Sequence, residues 1–322
     1  MYNRFMRIGI VKLSALGDIV HAMVVLQYIK NNLPDATIDW FVEERFYELL
    51  ENNPHINTIH KVKLKNNKLG FLKEYKKLKK LKNYDLVIDL QGLMKSAIVS
   101  KILSKNVIGF DKNSLREPIA AKFYTKSFAI PYETNVIVRN LTLISKALKL
   151  NMPDLQSKEA FLYSNSKLEF KPTLLIVVGS SWESKVYPKE KFVEIINALH
   201  VEAFVVWGSQ SEKLNAQFIC AKTNAKILPK LNLDELKNVI SNSSLVIGAD
   251  SGPTHMAWAL NRPSITIFGP TPSQRNTLAT SINLTIDCEK NIDANALDKN
   301  DFCIKNIASK KIATLAKELL KC

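Results

Sequence analysis

Cysteine is scarce and scattered. Cys220, Cys288, Cys303 and Cys322 are the four in 322 residues, and no two form a CxxC pair. That spacing argues against a metal site and against a disulfide framework, and fits reduced thiols in a cytosolic protein. Long apolar runs are also missing. The longest, around Ile19–Ile29, is interrupted by His21 and Gln27 and falls short of a membrane span. The segment Met1–Arg7 leads straight into a short strand, so no signal peptide is expected. Neither a G-x-G-x-x-G fingerprint nor a Walker loop is present, which weighs against simple dehydrogenase and NTPase readings. Acidic residues are few, 30 Asp and Glu against 45 Lys and Arg, for a net charge of +15. Such an excess implies an acidic partner. Base-reading motifs and interleaved aromatics are lacking, so a phosphorylated substrate or an anionic membrane face is favoured over nucleic acid.

Apolar residues make up 46% of the chain, enough for two substantial cores. Short β-branched runs alternate with helical patterns. Strands are predicted at 7–12, 38–42, 58–62, 85–90 and 107–110, with helices ending near 31, spanning 43–51 and 71–82, ending near 103, and spanning 133–148. Periodicity fades between Asn151 and Lys171, then restarts with strands at 173–178, 203–206, 226–228, 245–249 and 264–268. Helices are predicted between them, and a last one at 307–320. The pattern predicts two doubly wound α/β domains, 1–160 and 161–322, with the last helix a candidate to pack back on the first. Ligands of such sheets bind outside the carboxyl ends of the strands.

The polar loops fall at those ends. Asp250-Ser251-Gly252-Pro253-Thr254-His255 follows an apolar strand and opens a helix. Asp250 or Ser251 can cap it, Gly252 admits a ligand to the backbone, Pro253 suits the first turn, and the free N–H groups suit a phosphate. Lys12–His21 follows the first strand; Gly17 permits a bend there, and Asp18 is either a helix cap or a general base, with His21 one turn on. Gly179–Pro188 offers Ser180, Ser181 and Lys185, the last either a solvated loop lysine or a point charge for a diphosphate. Glu212 either accepts hydrogen bonds from a ribose or sits in a first helical turn as a dipole-favouring charge. Lys61–Lys82 holds ten lysines and one acid, Glu74, with Phe71, Tyr75, Leu78 and Leu81 at helical spacing. It is either a solvated face or a surface for anionic membrane.

Lys12-x-Ser14-x-x-Gly17-Asp18-x-x-His21, Asp89-x-Gln91-Gly92-x-x-Lys95-Ser96, Ser114-x-Arg116-Glu117-Pro118, Asp250-Ser251-Gly252-x-x-His255 and Phe268-Gly269-Pro270-Thr271, in that order, resemble the lipopolysaccharide heptosyltransferases. The first motif resembles their type I branch. The resemblance implies a GT-B glycosyltransferase of two Rossmann-like domains with the active site in the cleft between them. It implies transfer of L-glycero-D-manno-heptose from ADP-heptose to a Kdo sugar of Kdo-lipid A in inner-core synthesis, with inversion, without metal and without a cofactor beyond the co-substrate. By position it makes Asp18 the base and Lys185 a diphosphate contact. Ser180 and Ser181 stand where the family often has threonines. Glu212 matches a ribose-binding acid, Leu231 an apolar residue against adenine, and Asp250 a residue near the donor sugar. Ser251 and Gly252 fall at the phosphates, and His255 on the donor side. Ser14, Gly17, His21, Lys95 and Arg116 fall on the acceptor side. A cytoplasmic protein docked on the anionic inner face of the inner membrane is implied. A type II heptosyltransferase, another sugar-nucleotide enzyme of this fold such as an epimerase, and a basic binding protein without catalysis stay open.

Overall fold

The computed structural model describes residues 6–63, 68–81, 83–155 and 158–321. Lys65, Lys82, Cys322 and the side chain of Phe71 lie outside what is described. The chain divides into two units, Met1–Phe161 and Leu162–Cys322.

In the first unit the order is β1 (Arg7–Val11), α1 (Leu16–Asn32), β2 (Thr37–Glu43), α2 (Tyr47–Leu50), β3 (Thr58–Val62), α3 (Lys68–Lys80), β4 (Leu86–Asp89), α4 (Met94–Leu103), β5 (Val107–Phe110), β6 (Lys126–Phe128) and α5 (Val136–Leu148). The second runs β7 (Leu174–Val177), α6 (Lys189–Leu199), β8 (Ala203–Val206), α7 (Gln210–Ala221), β9 (Lys226–Ile227), α8 (Leu233–Ser241), β10 (Leu245–Ala249), α9 (Gly252–Ala259), β11 (Ser264–Phe268), α10 (Ser273–Asn276), β12 (Asn283–Asp287) and α11 (Ser309–Leu320). The two sheets are ordered β3-β2-β1-β4-β5-β6 and β12-β11-β10-β7-β8-β9, with every pairing parallel. Each is the 3-2-1-4-5-6 arrangement of a Rossmann-like fold, with its direction reversal beside β1 or β7.

Helices on both faces explain why the central strands are buried throughout and read as unbroken apolar runs. α1 is buried almost all round from Ile19 to Ile29 because it lies between its sheet and α5. Asn135 accepts the N–H groups of Ile137 and Val138, so α5 starts at Val136, later than the apolar pattern predicts. The helix expected over 43–51 breaks into a tight turn at Glu44–Phe46 and the single turn of α2. The edge strands β6 and β12 are not predicted by the pattern. The closing helix α11 begins at Ser309 and makes its contacts with α6, β10 and β11 of its own unit.

α3 corrects one expectation about its faces. Leu78 is buried as its spacing predicts, but the residue buried with it is Glu74, whereas Tyr75 and Leu72 are exposed. Glu74 is tolerated because Lys77 Nζ reaches its carboxylate at 3.1 Å. The outer face therefore presents Leu72, Tyr75, Lys73, Lys76, Lys79 and Lys80 together.

Asp39 anchors the opposite end of the first sheet from the strand exits. Its Oδ2 accepts from Tyr84 Oη at 2.6 Å and Arg7 at 2.8 Å, and pairs with His60 Nε2 at 3.3 Å. Burial alone would raise this carboxyl, but the bonds from His60, Tyr84 and Arg7 outweigh it and hold Asp39 down at about 2. A depressed carboxyl adds stability above its unfolded value that is lost as pH falls through the folded value. We therefore expect about 2 kcal/mol of stability to disappear between about pH 4 and 2. Urea unfolding of wild type and Asp39→Asn across that range checks this; equal acid slopes in the two proteins would refute it.

Candidate active site

In the second unit, the carboxyl ends of β7, β8, β10 and β11 deliver the chemistry-bearing loops to one edge. Their centre is Asp250, the residue after β10, which is buried. Lys185 Nζ lies 2.7 Å from its Oδ2 and His255 Nε2 lies 2.8 Å from its Oδ1. Thr271 donates its hydroxyl to Oδ2 at 2.8 Å, and Asn276 Nδ2 stands 3.5 Å away. Burial opposes charge on Asp250, but the Lys185 ammonium and the His255 ring hold the carboxyl far below the usual carboxylate range. It is thus a fixed anion that orients a lysine from the loop after β7, a histidine from α9 and two polar groups after β11.

Ser180 donates to the backbone carbonyl of Asp250 at 2.9 Å, tying the β7 exit to the β10 exit, while Ser181 is exposed. Ser251 is the N-cap residue of α9, but its hydroxyl pairs with Thr254 Oγ1 at 3.1 Å and makes no cap bond. Nor does the Asp250 carboxylate cap the helix, being spent on Lys185 and His255. The α9 N-terminus at Gly252 therefore keeps backbone N–H groups available to an anion.

Glu212 fills the first-turn role left open by its position. Its Oε2 accepts the N–H groups of Gly208 at 2.6 Å and Ser209 at 3.3 Å, closing a capping box at the start of α7. The same carboxylate lies over Gly179, where a Cβ would come within 2.3 Å of its Oε1. Only glycine admits that approach. Leu231 is half-buried and precedes Asn232, the N-cap of α8.

The first unit brings its motifs together at the exits of β1, β4 and β5. Asp18 is the third residue of α1, not its cap; Ala15 occupies that position. Its Oδ2 accepts the Ala15 N–H at 3.3 Å, and the side chain is half-buried. His21, one turn on, is buried. Gly17 lies within the first turn of α1 and makes no left-handed bend; the glycine with positive φ, +72°, is Gly92 after β4. Gln91 Oε1 accepts the N–H groups of Leu13 and Ser14 at 3.1 and 3.2 Å, so the β1 and β4 exits are stitched together. Glu117 accepts the Met94 N–H at 2.7 Å and joins the Ser114–Pro118 loop to the start of α4. Lys95 and Arg116 stand exposed on either side of that joint.

Sequence reasoning gave no site role to several organising residues. Asp89 is completely buried and accepts from the Gln91 and Gly92 N–H groups, the Ser96 hydroxyl at 2.8 Å and Tyr124 Oη at 2.9 Å. Burial pushes its carboxyl up. An acid ending the apolar strand Leu86–Asp89 is the signal that marks it. Thr271 and Asn276 carry no such signal, because their partner Asp250 is distant in sequence. Among the described residues no group of three or more His, Cys, Asp or Glu side chains is arranged to hold a metal ion.

Against known proteins, the profile of glycosyltransferase family 9 (heptosyltransferase) matches residues 72–302. The chain is 44% identical to lipopolysaccharide heptosyltransferase 1 of Campylobacter coli, over 98% of this chain and 99% of the relative. Among solved structures, it resembles the Escherichia coli heptosyltransferase WaaC with ADP-2-deoxy-2-fluoro heptose, at a TM-score of 0.78 and 23% identity, covering 97% of this chain and 99% of the other. A glycosyl transferase family 9 structure from Veillonella parvula aligns at a TM-score of 0.83 and 17% identity, covering 100% and 99%.

Proposed function

This chain belongs to glycosyltransferase family 9, the heptosyltransferases, and we propose that it transfers L-glycero-D-manno-heptose from ADP-heptose to a Kdo sugar of Kdo-lipid A. The observation that carries this reading is the Lys185–Asp250–His255 cluster beside the uncapped start of α9, in a chain 44% identical to a lipopolysaccharide heptosyltransferase 1. The second unit binds the donor: Ser251 and Gly252 at the diphosphate with Ser180 and Ser181, Glu212 at the ribose, Leu231 against the adenine, and His255 and Asp250 beneath the sugar. The first unit binds the acceptor through Ser14, Gly17, His21, Lys95 and Arg116.

Asp18 takes the proton from a Kdo hydroxyl as that oxygen attacks the anomeric carbon. ADP leaves from the opposite face, so the configuration inverts. Negative charge grows on the departing diphosphate, and Lys185 with the α9 N-terminus is already oriented to meet it. This fixed positive charge takes the place of a metal ion, so turnover should persist in EDTA. The test is direct: ADP release and heptosylated product from ADP-heptose with Kdo-lipid A. Turnover only with an already heptosylated acceptor would favour the type II activity, and no turnover with salt-sensitive anion binding would favour a binding protein.

The protein works at the cytoplasmic face of the inner membrane, docked there by α3. Exposed Leu72 and Tyr75 among Lys73, Lys76, Lys79 and Lys80 support this reading, since an amphipathic basic face gains from apolar insertion and anionic headgroups together. Replacing Lys73, Lys76, Lys79 and Lys80 with Gln should weaken binding to anionic vesicles by a few kcal/mol, at about 1 kcal/mol per lysine, and the loss should shrink as salt rises. Turnover of a short soluble Kdo acceptor should hardly change. Vesicle co-sedimentation at two salt concentrations checks this, and unchanged binding would leave α3 a solvated face.

A further inference from the structure

The segment between β12 and α11 has no part in the functions assigned so far, yet it reaches the donor edge of its own sheet. Its base is fastened twice. Lys290 Nζ pairs with Asp301 Oδ2 at 2.8 Å, and the Cys288 thiol donates to the carbonyl of Phe268 at 3.5 Å, at the end of β11. Within it, Asp293, Asp298 and Asp301 each accept a backbone N–H two residues on, from Asn295, Asn300 and Cys303. These acids hold the turns of the loop. Lys299 stands apart from them. Its Nζ lies 4.9 Å from the ring centroid of Trp182, and among the described residues it has no carboxylate partner.

Trp182 belongs to the β7 exit loop and carries a second cation: Lys185 Nζ lies 5.3 Å from the same centroid. Two ammonium groups are therefore held within about 10 Å of each other by one indole. The nearby anion, Asp250, already serves Lys185 and His255. Lys299 thus adds a second ammonium on the indole that already carries Lys185, and a pair of ammonium groups suits a ligand with more than one negative charge.

We propose that Lys299 is a second cationic contact for the diphosphate of the donor nucleotide, positioned by Trp182. The proposal rests on the reading of this unit as the ADP-sugar site. It divides the work between two lysines. Lys185, buried and locked on Asp250, is placed for the charge that develops on bond cleavage. Lys299, exposed on a fastened loop, adds affinity for the intact diphosphate.

The test is calorimetric titration of the full chain with ADP, AMP and adenosine. Lys299→Gln should weaken ADP about tenfold, AMP less, and adenosine not at all, and the ADP penalty should shrink at high salt. With ADP-heptose as substrate, KM should rise by a similar factor while kcat stays close to wild type. Lys299→Arg should restore binding to within about threefold. Trp182→Leu should reproduce most of the ADP loss and Trp182→Phe less, because phenylalanine keeps an aromatic face. Lys310→Gln, an exposed charge on α11, serves as the control and should change nothing. Lys299→Gln binding ADP as tightly as wild type, or losing ADP and adenosine equally, would overturn the proposal. If wild type itself binds no ADP, the nucleotide-sugar reading falls first and this contact with it.

Discussion

Asp18→Asn should lower turnover by roughly 10²–10⁴-fold, the range for a lost general base, while leaving ADP affinity and thermal stability close to wild type. The substitution suits the local structure. Asp18 is the third residue of α1 and accepts the Ala15 N–H at 3.3 Å. An asparagine oxygen can accept the same bond, so the helix start is retained, whereas an amide cannot take a proton from a Kdo hydroxyl. Asp18→Ala removes the bond as well and should cost roughly a further 1 kcal/mol of stability, the usual scale for a lost N-terminal capping contact. The pair separates the two readings open at this position. If Asp18→Asn turns over like wild type and only Asp18→Ala loses stability, Asp18 is a helix-start residue and the base lies elsewhere. A kcat loss in both variants, with unchanged ADP binding by calorimetry, assigns the proton transfer to Asp18.

The layout of the sheets is written in the sequence because parallel strands covered on both faces must be apolar along their whole length. Leu245–Ala249 and Val107–Phe110 announce themselves for that reason. β6 does not, because Lys126 and Ser127 are exposed at a sheet edge and three residues carry no period. β12 is hidden by its polar ends, Asn283 and Asp287. The loops are legible in position but not in partnership. That Asp250 lies at a strand exit follows from the apolar run before it. His255 is five residues on in the same motif, but that Asp250 also holds Lys185 and Thr271 depends on how β7, β10 and β11 stand side by side, and no local spacing encodes it. The glycines show the same limit. Gly17 and Gly92 look alike as loop residues, yet only Gly92 takes the left-handed conformation, because the Gln91 and Gly92 amides turn in to meet buried Asp89. Glu74 misleads in the opposite sense, since an acid amid lysines reads as solvated until Lys77 is seen to cover it.

Lys185→Ala should cost about 3 kcal/mol of transition-state stabilisation, a fall of roughly 10²-fold in kcat, as for other preorganised charge stabilisers. It should also lower stability, because it strips a cation from a buried carboxylate 2.7 Å away; removing one member of such a pair costs on the order of 3–5 kcal/mol, lessened here by the His255, Thr271 and Asn276 contacts that remain. A lone Lys185→Ala measurement therefore mixes two effects. The double variant Lys185→Ala with Asp250→Asn separates them. Neutralising Asp250 removes the stranded charge, so most of the lost stability should return in urea unfolding. Activity should not return, because the charge that meets the departing diphosphate is still missing. Recovery of turnover along with stability would mean that Lys185 only shields Asp250. In that case the developing charge would fall to the α9 N-terminus alone.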